Sequence, residues 1–286
     1  MSILQMPHCF PEVVLFDWHA TLVNTHAAMY RAVNDMLPRL KPLGLWPYLQ
    51  DPEQTKTDDD ARLLTYILQH QQLHPKIVVQ EKISRTDIFE ILFGENELAK
   101  ARAHEAFDEA YRNHVADVFP MEKNVRTQIE RLRSIGIETG VISNRRREFL
   151  SHELAAVDGR GWEDLFDVVV CGDDVSRRKP APDSLLYALS DLELYPSKHC
   201  WYVGDSTTDV IAAGQAGITS IFYNGAGWSR TWIDKIFPGT LRHPHRPDAI
   251  ITSLSEVADL ARLLRAQQLR VLRAREKGSS SSGIHS

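Results

Sequence analysis

Val13-Val14-Leu15-Phe16-Asp17-Trp18-His19-Ala20-Thr21-Leu22 is the stretch on which the fold turns. Four consecutive apolar residues, preceded by Pro11, have the length and continuity of a buried strand, and the run ends on one carboxylate, Asp17. Such a strand belongs in a parallel sheet covered by helices on both faces. Ligands bind open sheets of this kind just beyond the carboxyl ends of the strands, so Asp17 stands at the edge where chemistry is expected. Later apolar runs lead to comparable groups: Val141-Ile142 to Ser143-Asn144, the run before Arg178-Lys179-Pro180 to Lys179, and Val203-Gly204 to Asp205 and Asp209.

The rest of the chain supplies that sheet and an interruption to it. Residues 25–37 place Ala28, Met29, Ala32, Val33, Met36 and Leu37 at helical spacing, with Asn24 or Thr25 to cap the helix. Up to about Phe119 the pattern stays helical, with segments at 61–72, 86–93 and 97–118. From Pro120 helices (122–134, 145–156, 182–189, 207–216, 254–269) alternate with strands (137–142, 166–171, 200–203, 218–223, 249–251). This alternation predicts an α/β fold with a Rossmann-like parallel sheet, formed by 1–24 and 119–270. A helical domain over 25–118 is inserted after its first strand, and a Gly/Ser-rich flexible tail is expected over 271–286. Residues 225–247, rich in Trp, His, Pro and Gly, read as a surface elaboration, and there is no internal repeat.

At 286 residues the chain can bury a substantial core in one large domain or two modest ones. A net charge of −5 gives no global attraction for nucleic acid or an anionic membrane surface, so neither is an expected partner. No apolar run approaches the roughly 18 residues of a membrane span, and the first residues lack a signal-peptide pattern. Cys9, Cys171 and Cys200 lie far apart, the last two inside apolar runs, which fits a reducing, cytoplasmic setting. Oligomeric state is left open.

Taken together, Asp-x-x-x-Thr at 17–21, the strand-terminal Ser143, Lys179-Pro180 and Gly204-Asp205-x-x-x-Asp209 resemble the haloacid dehalogenase superfamily of aspartate-nucleophile hydrolases, in its phosphoglycolate-phosphatase-like branch. The resemblance covers roughly 11–24 and 119–252, and the helical insertion matches the place of that superfamily's cap. It implies a Mg²⁺-dependent hydrolase acting on a small phosphorylated substrate. Asp17 would attack phosphorus and form an aspartyl-phosphate, splitting one difficult displacement into two. The Asp17 carboxylate, the main-chain carbonyl of His19 and Asp205 would hold Mg²⁺, with Asp209 either a ligand or a support behind it. Ser143 and the adjacent Asn144 amide would bind the phosphoryl oxygens, and Lys179 would neutralise charge on them. Asp173 and Asp174 would orient Lys179 or metal-bound waters.

The pattern departs from its family at two positions. Phosphatases of the superfamily usually carry a second Asp two residues after the nucleophile, which protonates the leaving oxygen; here that residue is His19. An imidazole can transfer protons near neutrality, so His19 would replace the acid/base, although its ring is larger and a nearby Mg²⁺ disfavours its charged form. Ala20 stands where the family has Gly, asking the turn to accept a Cβ. Two alternatives stay open: a phosphonate or haloacid hydrolase, the former wanting a lysine such as Lys41 or Lys56, and a catalytically weak protein that binds phosphorylated ligands or a partner. Simpler readings hold for other features. Asp58-Asp59-Asp60 is an acidic first turn, Arg145-Arg146-Arg147 a solvated helix face, His243 and His245 loop residues, and Trp228 with Trp232 a helix packing face.

Overall fold

The computed structural model describes residues 6–80, 83–241 and 244–281. In chain order it forms β1 (Val13–Phe16), β2 (Val23–Asn24), α1 (His26–Met36), α2 (Asp58–His70), α3 (Pro75–Gln80), α4 (Arg85–Phe93), α5 (Glu97–Tyr111) and β3 (Phe119–Pro120). Then follow α6 (Val125–Arg133), β4 (Glu138–Ile142), α7 (Arg147–Ala156), β5 (Val168–Val170), α8 (Asp183–Asp191) and β6 (Cys200–Gly204). The chain continues with α9 (Thr207–Ala216), β7 (Thr219–Tyr223), α10 (Arg230–Ile236), β8 (Ala249–Ile251) and α11 (Ser255–Ser281). Two compact units result: residues 1–23 with 120–286, and 24–119. The short strands β2 and β3 pair where the chain leaves and returns.

The first unit is built on six strands in the order β5-β4-β1-β6-β7-β8, each pair parallel. β1 is fully buried and central, as its unbroken apolar sequence requires. Its neighbours β4 and β6 come from later, separate crossovers, so the strand order reverses on either side of β1 and leaves a crevice at its carboxyl end. Phe16 lies level with Val141 on one side and Val203 on the other. That register puts the residues just after β1, β4 and β6 side by side.

The second unit is helical. α1 buries Ala28, Met29, Ala32, Val33 and Met36, and α5 buries Ala99, Ala103, Ala106, Phe107 and Ala110, the two packing along each other. Asn24 Oδ1 accepts from the His26 amide at 2.8 Å, while Thr57 caps α2, so Asp58-Asp59-Asp60 is the first turn of that helix. Lys41 lies over the Trp46 ring and exposed Lys56 pairs with Glu90.

Three expectations change. The segment at 97–118 is helical only to Tyr111, where tighter turns from Asn113 and His114 close the end. The helices α3 and α10 are too short for their periodicity to stand out. The expected flexible tail from 271 is helical to Ser281: Leu272, Ala274, Arg275, Glu276 and Lys277 are good helix formers, and the helix continues into the first residues of the Gly/Ser run. Residues 282–286, like His243, lie outside the described residues. No helix among the described residues is long and apolar enough to cross a membrane.

Candidate active site

Asp17 leaves β1 at the crevice, its amide donating to the Val203 carbonyl at 2.8 Å. The chain then folds back on itself: the Leu22 and Val23 amides both donate to the Trp18 carbonyl at 3.0 Å, and the Ala20 amide donates to the Val23 carbonyl at 2.8 Å. Ala20 takes φ = +58°, the left-handed region that favours glycine, so its Cβ is accommodated at a cost. Trp18 is fully buried beneath the turn, edge-on to Trp162 with ring centroids 5.9 Å apart. The residue after the carboxylate is thus an anchor for the loop.

On one side of Asp17 lies a buried network centred on Lys179. Its Nζ donates to Asp17 Oδ1 at 2.6 Å, Asp209 Oδ1 at 2.8 Å, the Tyr202 hydroxyl at 2.6 Å and the Ile142 carbonyl at 3.1 Å. Tyr202, on β6, donates in turn to Asp209 Oδ1 at 2.9 Å. Asp209 Oδ2 accepts from the Ser206 amide at 3.1 Å and from its hydroxyl, an N-terminal capping box for α9. Both Asp209 oxygens therefore accept two protons each, which fills the carboxylate. Gly204 is required here: a Cβ would stand 2.4 Å from Asp209 Cγ. Asp205 accepts from the Thr21 hydroxyl at 3.2 Å.

Asp17, Asp205 and Asp209 each bring an oxygen to within 4.8 Å of the others. Burial, partly offset by Lys179 and reinforced by Asp209, pushes the Asp17 carboxyl up to about 6. Burial and the repulsion of Asp17 and Asp209 hold Asp205 well above the usual carboxylate range. Burial works against the Lys179 ammonium, but Asp17 and Asp209 outweigh it and keep its pKa above the ordinary value. When all are ionised, three carboxylates with one ammonium leave an excess of two negative charges, which is what raises Asp17 and Asp205, and the all-oxygen donor set suits a hard divalent cation.

The other side of the loop is different. Glu153, fully buried on α7, accepts from Trp18 Nε1 at 2.8 Å, and its carboxylate lies 3.5 Å from Arg145 Nε and 3.4 Å from His19 Nε2. Arg145 Nε donates to His19 Nε2 at 2.6 Å. The His19 ring is thus held by Arg145 and Glu153.

The sequence profile of the haloacid dehalogenase-like hydrolases matches residues 14–223. The chain belongs to that family. Among curated relatives, this hydrolase is 25% identical over 213 residues to the phosphoglycolate phosphatase of Psychrobacter arcticus, spanning 73% of the chain and 82% of that protein. With the Yersinia pestis phosphoglycolate phosphatase it shares 32% identity over 121 residues, covering 42% of the chain and only half the length of that relative. CbbY from Rhodobacter sphaeroides, solved in complex with xylulose-(1,5)bisphosphate, has a TM-score of 0.54 at 21% identity, covering 86% of this hydrolase and 96% of that chain. This likeness is one of fold.

Within this hydrolase the β-strand ends bring Asp17, Ser143, Asp205 and, through Lys179, Asp209 to one crevice. Buried Ser143 accepts from the Arg145 amide at 3.1 Å. The Asn144 side chain faces Lys179: its Nδ2 donates to the Lys179 carbonyl at 3.0 Å and its Oδ1 accepts from the Lys179 amide at 2.9 Å. Asp173 and Asp174 do not orient Lys179; Asp173 accepts from the Arg147 amide at 2.8 Å, and Asp174 pairs with the Arg147 guanidinium. Arg145 is correspondingly no solvated helix residue. Trp228 stacks on Phe222 while Trp232 is half exposed, so the two share no packing face, and His245 sits against Gly214. Tyr202 and Glu153 escaped the sequence reading. Glu153 left a trace, since it interrupts the inward face of α7 otherwise formed by Phe149, Leu150 and Leu154.

Proposed function

We propose that this hydrolase is a Mg²⁺-dependent phosphatase of small phosphorylated metabolites, working through an aspartyl-phosphate on Asp17. The observation that carries the reading is the cluster of carboxylates around Asp17 at the end of β1, with Lys179 in contact and Ser143 just after the neighbouring strand β4. Relatives named as phosphoglycolate phosphatases support it. The buried free thiols Cys171 and Cys200, the former pushed up to about 12 by burial, support a reducing, cytoplasmic setting.

Asp17 and Asp205, together with the His19 main-chain carbonyl, would hold Mg²⁺. Asp209, its oxygens already filled, supports from behind by fixing Lys179. When bound, the ion screens the repulsion between the Asp17 carboxylate and an anionic phosphate. Asp17 attacks phosphorus as the bond to the leaving oxygen breaks. Ser143 and the Asn144 amide hold the phosphoryl oxygens, and Lys179 neutralises charge on them. Water then attacks phosphorus, the bond to Asp17 breaks, and phosphate leaves.

The test is phosphate release from a panel of monoesters with Mg²⁺, comparing wild type, wild type with EDTA, and Asp17→Asn. Turnover should appear with wild type alone, and losing the nucleophile should cost on the order of 10⁴–10⁶ in kcat. Turnover that survives in Asp17→Asn would overturn the aspartyl-phosphate route.

A further inference from the structure

The net charge of −5 conceals an uneven distribution. Between residues 262 and 277, inside α11, stand six bases, Arg262, Arg265, Arg270, Arg273, Arg275 and Lys277, against one acid, Glu276. This stretch therefore carries +5, which leaves −10 on the remainder of the chain. The helix is 27 residues long, about 40 Å at ~1.5 Å per residue. Its first part packs on the sheet unit: Val257, Ala258, Ala261 and Leu264 are buried at helical spacing, and the helix lies along α6. Arg265 anchors the next turn, its Nη1 donating to the Ile135 carbonyl at 3.0 Å and its guanidinium lying over the Phe10 ring. Residues 266–270 are then all exposed. Five consecutive residues at about 100° per step sample every face of a helix, so α11 has left the body at this point. Residues 266–281 extend roughly 24 Å, about three Debye lengths at physiological ionic strength, so the far turns are screened from the acidic body.

A helix standing alone in water is supported by acids and bases interleaved three or four residues apart. Within 262–277 the spacing does the opposite. The pairs 262 with 265, 270 with 273 and 273 with 277 set like charges together, and 273 with 276 is the one opposite pair. An anionic surface relieves that repulsion. Interleaved with the bases are Leu263, Leu269, Val271 and Leu272, of which Leu269 and Leu272 are 46% and 48% exposed. From this charge complementarity and these exposed leucines we propose that α11 docks the protein on an anionic membrane surface. Its bases pair with the lipid headgroups and its leucines enter the acyl boundary, with the helix lying in the plane of the interface. A membrane surface takes up both chemistries, whereas a nucleic acid takes the charge alone. A second copy of α11 fits worse: it brings the same charge, and the spacing that buries Val257, Ala261 and Leu264 runs on through Gln268, Val271 and Arg275, which breaks an apolar seam. The docking surface uses none of the crevice residues, so the inference stands independently of the phosphatase reading.

Cosedimentation of the whole chain with lipid vesicles tests this. The vesicles are phosphatidylcholine alone, or phosphatidylcholine and phosphatidylserine in equal parts, at low and high salt. The proteins are wild type, Arg270→Glu/Arg273→Glu and Leu269→Gln/Leu272→Gln, glutamine being chosen to keep helix propensity, with thermal melts to verify folding. Wild type should pellet with the anionic vesicles, stay in solution with the neutral ones, and bind less at high salt. Each base near an anionic leaflet strengthens binding about fivefold, so reversing two should weaken it by at least about twentyfold. Losing the two leucines should weaken it by at least about fivefold. Equal binding to both vesicles, binding to neither, or anionic binding unchanged by the charge reversal overturns the proposal. Indifference to the leucine pair overturns it too, and binding of a labelled DNA duplex in that case assigns α11 to nucleic acid. A dimer in solution that the leucine pair abolishes, with vesicles left unbound, assigns the helix to a second copy instead.

Discussion

The loop from Asp17 to Thr21 separates two clusters of buried charge that differ in one respect. On the Lys179 side, Asp17, Asp205 and Asp209 face a single ammonium. On the His19 side, Glu153 faces the Arg145 guanidinium, Trp18 donates to Glu153, and the imidazole lies against both charged groups. Burying an ion is expensive unless a partner of opposite sign accompanies it. The second cluster pairs its buried carboxylate with a cation of opposite sign and positions what it touches. The first carries more carboxylates than cations at the end of a parallel strand, an arrangement that could hold a metal ion.

The strongest way to break this comparison is Lys179→Met. It raises the excess on the first side from two charges to three, and should destabilise the metal-free protein by about 3–5 kcal/mol, the range for an uncompensated buried charge. Loss of an electrostatic donor should also lower kcat by about 10²–10³. Denaturant melts with and without Mg²⁺, alongside phosphate release, measure both. A variant as stable as wild type without metal would mean that Lys179 offsets little of the carboxylate charge.

A smaller effect sharpens the sign of the imbalance. The folded-state value of about 6 for Asp17 lies above the ordinary 3.8. A raised carboxyl favours the folded state fully below about 3.8, and that contribution is lost as pH rises through about 6. Metal-free wild type should therefore lose stability between about pH 4 and pH 7, by roughly 2–3 kcal/mol at the standard conversion of pKa to free energy. Asp17→Asn should remove that part of the slope and be the more stable protein at neutral pH in EDTA, though inactive. Equal pH profiles for the two would place the strain on Asp205 alone.

The difference between the clusters also separates what the sequence made legible from what it hid. Asp17, Ser143 and Asp205 were readable because each directly follows a buried apolar run, and parallel strands in register must deliver such residues to one edge. Lys179 and Asp209 came with short motifs next to those runs. Tyr202 and Glu153 were not readable as site residues, since a tyrosine in a strand and a glutamate in a helix are ordinary until tertiary packing shows what they meet. Arg145 was misassigned for the same reason: three consecutive arginines look alike in sequence, yet Arg145 pairs with His19 and Arg147 with Asp174. The roles of Asp209 and Asn144 needed atoms rather than spacing, because only the structure shows Asp209 filled by Lys179, Tyr202 and Ser206, and Asn144 turned onto the Lys179 backbone.

Ala20 sits between the two clusters and reports on how firmly they grip the loop. At φ = +58° an alanine costs about 1–2 kcal/mol relative to the right-handed region, whereas a glycine adopts this conformation freely but loses more chain entropy on folding, about 0.5–1 kcal/mol. The difference favours Ala20→Gly by roughly 0.5–1 kcal/mol, readable as a rise in denaturation midpoint. The strain persists because its neighbours over-determine the turn: Trp18 is pinned by Glu153, Thr21 by Asp205, and the Ala20 amide by the Val23 carbonyl. If the Arg145–Glu153 side supplies part of that grip, the loop of Arg145→Gln can relax away from the left-handed turn, and the stabilisation by Ala20→Gly should shrink in that background. A double-mutant cycle on the two substitutions measures the coupling, and an effect that simply adds would show that the Lys179 side and the turn's own hydrogen bonds hold Ala20 without help from His19's side.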